Sequence, residues 1–165
     1  MTATGMRHNL LLAMLLLAMA AGCSRKPVLD YSYVNLNRIS GWSSNEPVQL
    51  EFDMEDTTGI SELYITGEIA IKRTPDKMRG YPINIKLTAP DGSSYTDTLL
   101  LPLHVVNDSN VSRTSHGIRE IVWPYRKNIH NKIPGRWIME ITQGDTTVDY
   151  KNIIGLGVHC KQNRI

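Results

Sequence analysis

The stretch INIKLTAPDGSSYTDTLLL, residues 83–101, decides the fold class. Ile83, Ile85 and Leu87 alternate with Asn84, Lys86 and Thr88. A period of two with one apolar parity is the mark of a strand that buries one face. Pro90-Asp91-Gly92 then turns the chain, because proline presets φ and glycine accepts a positive one. Tyr95–Leu101 follows as a second strand, so 83–101 is predicted to be a hairpin.

The same period runs outward in both directions. Val48, Leu50 and Phe52 alternate with Gln49, Glu51 and Asp53. Leu63, Ile65, Ile69 and Ile71 share one parity, with Gly67 between them. Later strands are predicted at 117–123, 136–142 and 153–160. In the last, Ile154, Leu156, Val158 and Cys160 alternate with Gly155, Gly157 and His159. After residue 23 no window of helical length holds a 3.6-residue period, so any helix should be a single turn. Polar loops are expected at 73–80 and 104–116. Short strands separated by turn residues predict an all-β chain folded as an antiparallel β-sandwich, immunoglobulin-like or jelly-roll-like.

The first residues differ in kind. Arg7 and His8 precede an apolar run from Leu10 to Ala21, which is the length of a signal-peptide core and too short to span a membrane. The run ends Ala20-Ala21-Gly22-Cys23, which resembles the bacterial lipobox. The expectation is a signal peptide over 1–22, cleavage before Cys23, and lipidation of that cysteine. Residues 23–30 would then be a lipidated tether and 31–165 a single β-sandwich domain. Acyl chains hold by apolar burial, and two or three of them anchor for good. Ser24, Arg25 and Lys26 follow the cysteine, with neither an inner-membrane retention aspartate nor an acidic surface-export cluster. An outer-membrane anchor facing the periplasm is therefore expected.

Composition narrows the function classes. The 165 residues are 41% hydrophobic and 21% charged, as for a folded globular domain. Setting aside Arg7, 17 Lys and Arg face 16 Asp and Glu. That near-balance argues against a nucleic-acid partner, which needs a basic face. Cys160 has no second cysteine once Cys23 is lipidated, and its place in an apolar strand predicts a buried, inert thiol.

No motif announces catalysis. G-x-S-x-G, H-E-x-x-H, the P-loop and C-x-x-C are all missing from the sequence. His104, His116, His130 and His159 show no ligand spacing, so no metal or other cofactor is expected. Asp53, Glu55 and Asp56 precede Thr57-Thr58-Gly59 without an EF-hand pattern, as in a solvated turn. Trp42, Trp123 and Trp137 could stack on a glycan, although Trp123 and Trp137 fall in strands where core packing is the default. Asp97-Thr98-Leu99 and Asp145-Thr146-Thr147 look like a short O-glycosylation signal, and an ordinary strand edge explains them equally well.

From about Tyr31 to Lys161 the chain resembles the gliding-motility lipoprotein GldH family of Bacteroidetes. The matching pieces are Tyr31 with Gly41-Trp42, Phe52, and Lys72-Arg73 leading to Tyr81-Pro82-Ile83-Asn84-Ile85-Lys86-Leu87. Asp97-Thr98-Leu99, Gly135-Arg136-Trp137 with Met139 to Gln143, and Asn152-Ile153-Ile154-Gly155-Leu156-Gly157-Val158 follow in order. The segment Gly144–Tyr150 lacks the family's methionine and proline-glycine, and its middle glycine-rich stretch shrinks to His116-Gly117. The resemblance implies a non-enzymatic lipoprotein serving the gliding apparatus and the type IX secretion that accompanies it, with Cys23 as the lipidated residue. Envelope proteins are the implied partners. A glycan-binding module and a hydrolase with an unrecognised site are the competing expectations.

Overall fold

The computed structural model describes residues 28–55, 59–73, 79–103, 113–145, 147 and 149–163. The signal segment, Cys23, Asp56 and His104 lie outside the described residues. No helix among the described residues is long and apolar enough to cross a membrane.

Nine strands form among the described residues: β1 (Val28–Asn35), β2 (Val48–Met54), β3 (Ile60–Ala70), β4 (Gly80–Thr88), β5 (Ser94–Pro102), β6 (Arg113–Ser115), β7 (Ile118–Ile129), β8 (Gly135–Gln143) and β9 (Ile153–Asn163). They make two antiparallel sheets, ordered β1-β9-β3-β7-β6 and β2-β8-β4-β5. The pairs are nested: β4 with β5, β3 with β7, β2 with β8, β1 with β9. One long hairpin of four such pairs has been rolled so that successive pairs fall in opposite sheets. That is the jelly-roll arrangement, with β6 added at one edge. The β-sandwich expected from the sequence is present, in its jelly-roll form.

The alternating residues named above make the core. Leu50, Phe52, Ile83, Ile85, Met139 and Ile141 face Leu63, Ile65, Leu156 and Val158, all 0–1% exposed. The 83–101 hairpin closes with Ala89 N–H donating to Ser93 O at 2.8 Å and Gly92 at φ 84°. The one helical element among the described residues is the 3-10 turn Ile71–Arg73, so Ile71 leaves the strand that its parity suggested.

Two strands lay outside the expected ones. β6 falls in the stretch expected to be a loop, and β1 begins at Val28, inside the expected tether. β1 pairs along its length with β9, from Val28 opposite Gln162 to Asn35 opposite Gly155. Its inward parity is Asp30, Ser32 and Val34. Two polar groups point in because β1 lies beside the edge of β2. Asp53 N–H donates to Asp30 Oδ2 at 2.6 Å and Glu51 N–H to Ser32 Oγ at 3.2 Å. Glu55 N–H donates to Gln162 Oε1 at 3.1 Å. The outward amides of Glu51 and Asp53, and that of Glu55 just past β2, are thereby satisfied by side chains of the other sheet, which close this stretch of the seam.

Candidate functional site

On the opposite side no such clasp on an edge amide is found among the described residues. There β5 ends the small sheet and faces β7 across a cleft of about 480 Å³. Its inner wall is Met54, Leu63, Leu87, Ile129 and Ile133, with the ring of Trp137 beside them. Tyr95 stacks on Trp137 at 6.4 Å between ring centres and 22° between planes. Arg126 bridges the seam to Asp97 at 2.5 Å and lies 5.4 Å from the ring centre of Tyr125. Burial holds the Tyr125 phenol above its ordinary value, with the Arg126 hydrogen bond pulling the other way.

Two irregularities in β7 shape this wall. The β3 ladder pairs Ser61 with Ile129, Leu63 with Arg126 and Tyr64 with Pro124. Two steps along β3 span three along β7, and then one step spans two. Each extra residue is a bulge, which re-aims the side chains around it. Pro124 is tolerated at such a place, and Asn128 takes φ 55°, a left-handed value that asparagine accepts more readily than most. The segment 130–134 then crosses the end of the cleft. Asn131 fixes it: its amide accepts from Ile133 N–H at 3.1 Å and donates to Ile133 O at 3.0 Å. Trp137 Nε1–H donates to the same carbonyl at 3.1 Å.

The edge of β5 has its own chemistry. The bonds Ala89 N–H to Ser93 O and Leu103 N–H to Arg79 O set the phase of the β4–β5 ladder. Odd-numbered residues therefore bond to β4, and Ser94, Thr96, Thr98 and Leu100 turn their backbone groups outward. Asp97 Oδ1 takes the Thr98 amide at 3.0 Å. At the far end Pro102 lacks an N–H, and its carbonyl accepts from Trp123 Nε1 at 2.9 Å. Thr96 and Leu100 remain at the open rail, with Tyr95 and Leu100 56% and 58% exposed.

The residues singled out from sequence scatter over this body. Trp42 is fully buried, donating to Glu46 O at 2.7 Å, and Trp123 is buried under β5. The three tryptophans therefore make no common platform; only Trp137 borders the cleft. His116 sits in the β6–β7 turn, bonded to Ser115 Oγ at 2.8 Å, while His130 stands at the cleft and His159 on the outer face against Tyr31. Among the described residues no three of His, Cys, Asp and Glu gather to hold a metal. Asp53 meets Arg136 at 3.4 Å. Thr98 donates to Asn84 Oδ1 at 3.0 Å on the exposed sheet face. Asp145 instead serves a local turn, accepting from Thr147 N–H and Oγ1 at 2.9 and 2.6 Å. Cys160 is fully buried, and burial pushes its thiol up to about 12, leaving it unreactive at neutral pH.

The cleft itself has no counterpart in the sequence motifs, because strands distant in sequence build it. The available signals were the proline inside an apolar run at Pro124 and the carboxylate-free basic segment that follows it. Compared with known proteins, the chain matches no family model and no curated protein.

Proposed function

We propose that this protein is a lipid-anchored lipoprotein of the bacterial envelope, resembling GldH, that acts by contact and not by turnover. In this reading Cys23 carries the lipid at the periplasmic side of the outer membrane. The β-sandwich serves the gliding and type IX secretion machinery by pairing a partner's strand with β5.

The observation that carries this reading is the rail of β5, where no strand among the described residues pairs with the outward backbone of Thr96 and Leu100. Sheet edges are ordinarily blunted by charge, proline or a covering element, because an open edge invites another chain. β2 is covered in that way. Asp97 and Pro102 blunt two places on β5, but the strand has no Lys or Arg from Ser94 to Pro102 and exposes Leu100 and Tyr95 beside the outward amides of Thr96 and Leu100. Such an edge suits strand addition, in which main-chain bonds give affinity and flanking side chains give selectivity.

Thr96→Pro tests it, because the substitution removes an outward N–H and no β4 bond. Deleting the gene should abolish gliding or type IX cargo secretion, and the wild-type gene should restore it. Thr96→Pro should fail to restore it while the purified variant keeps the wild-type circular dichroism. Full complementation by Thr96→Pro, or a deletion strain with normal gliding and secretion, refutes the reading.

A further inference from the structure

The cleft lies at the same end of the sandwich as the start of β1. One row across the large sheet holds Val28, Gln162, Ser61 and Ile129. Four residues separate Cys23 from Val28, and five chain steps reach at most about 17 Å. A lipid on Cys23 therefore keeps this end, with Ile129 and the 130–134 crossing segment, close to the bilayer surface.

The lining chemistry selects among ligands. Several polar groups of the lining are already engaged: Trp137 Nε1 and the Asn131 amide on Ile133, Arg126 on Asp97. The wall presents Met54, Leu63, Leu87, Ile129 and Ile133, and a volume of about 480 Å³ falls in the small-ligand range of about 300–1,000 Å³. The lining also carries two cations, Arg126 and Lys132, against one carboxylate, Asp97. Asp97 is taken by Arg126, while among the described residues no carboxylate lies within ion-pairing distance of the exposed Lys132.

We propose that the cleft between β5 and β7 takes one acyl chain of an anionic bilayer phospholipid, with its phosphate at Lys132. The tail meets an apolar wall, the headgroup meets the lysine, and the bilayer stands at the end where both occur. This placement rests on the anchored reading; the binding chemistry does not, so the two are tested apart.

Trp137 is the reporter, because it borders the cleft while Trp42 and Trp123 lie away from it. The mature chain carrying Cys23→Ser is mixed with vesicles of phosphatidylglycerol and phosphatidylcholine whose acyl chains are brominated. Bromine quenches an indole only at contact. Emission should fall by up to the share of one tryptophan in three. Brominated vesicles of phosphatidylcholine alone should quench several-fold less. Lys132→Glu should cut the quenching several-fold with an unchanged Tm. Ile133→Phe, which keeps every tryptophan and narrows the cleft, should remove it. No quenching by anionic vesicles, or quenching unaltered in Ile133→Phe, overturns the proposal. So does quenching by neutral vesicles equal to that by anionic ones. Mass spectrometry of the N-terminus from native membranes reads the anchor separately: an unmodified Cys23 beside strong quenching sinks the anchor and leaves the cleft assignment standing.

Discussion

A methyl group at residue 155 should test how the outer face of the large sheet is packed. Tyr33 of β1 lies across β9, over Gly155 and Gly157. A Cβ built on Gly155 overlaps the phenol oxygen and lies 2.5 Å from Cζ of Tyr33, and the three nearest atoms it meets all belong to that side chain. A Cβ on Gly157 meets Ser32 O at 2.9 Å and Thr66 Oγ1 at 2.7 Å as well as the ring. Gly155→Ala can therefore be relieved by swinging one ring away, and Gly157→Ala cannot. Overpacking costs about 1–3 kcal/mol, against which replacing a strand glycine returns about 0.5–1 kcal/mol. The ring can leave altogether, so the net cost of Gly155→Ala should not exceed that of Tyr33→Ala, about 1–2 kcal/mol for a half-buried side chain. The assay is a urea-unfolding double-mutant cycle followed by circular dichroism. Gly155→Ala with Tyr33→Ala should be more stable than the sum of the singles by about 1–2 kcal/mol, within the range for residues in contact. Gly157→Ala should retain most of its penalty beside Tyr33→Ala. Additivity at Gly155 within about 0.5 kcal/mol refutes the packing of Tyr33 over that glycine.

Two further outcomes follow from the seam and the outer face. Asp30→Ala removes the carboxylate that accepts Asp53 N–H, leaving a strand-edge amide without its partner; the cost should be about 1–3 kcal/mol, or roughly 3–10 °C in Tm by calorimetry. An unchanged Tm would show that β1 does not close that side. Burial lowers the His159 pKa, with Glu120 opposing. The folded state therefore binds fewer protons there than the unfolded one, and the stability from a neutral imidazole is complete above about 6.5 and shrinks as pH falls through the lower folded value. Unfolding free energies at pH 7.5 and 5.5 should show that decline, and His159→Gln should flatten part of it; an identical slope in the variant removes His159 as a source.

Strands whose inner parity meets the opposite sheet announced themselves. Val48-Leu50-Phe52, Ile83-Ile85-Leu87 and Trp137-Met139-Ile141 are all buried on the expected side. β1 did not, because Asp30 and Ser32 point inward to satisfy the edge of β2 and so erase the apolar alternation. β6 is three residues long and carries no period. The turn at Pro90-Asp91-Gly92 was readable from local backbone preference alone. The cleft was not: Tyr95 and Trp137 are 42 residues apart, and the bulges in β7 depend on β3 across the ladder. The tryptophans attracted attention by their chemistry, yet burial places Trp42 and Trp123 in packing roles.

The closed seam gives β1 a mechanical meaning. If Cys23 carries the proposed lipid, tension from the bilayer would enter the body at Val28 and run along the strand axis. The rungs to β9 and the two side-chain clasps on β2 then carry load together, in shear, where a zipper would open rung by rung. A partner gripping β5 would return that load through the opposite sheet, so the hydrophobic layer between the sheets becomes a strained element in its own right. A strand paired along its whole length is suited to being pulled.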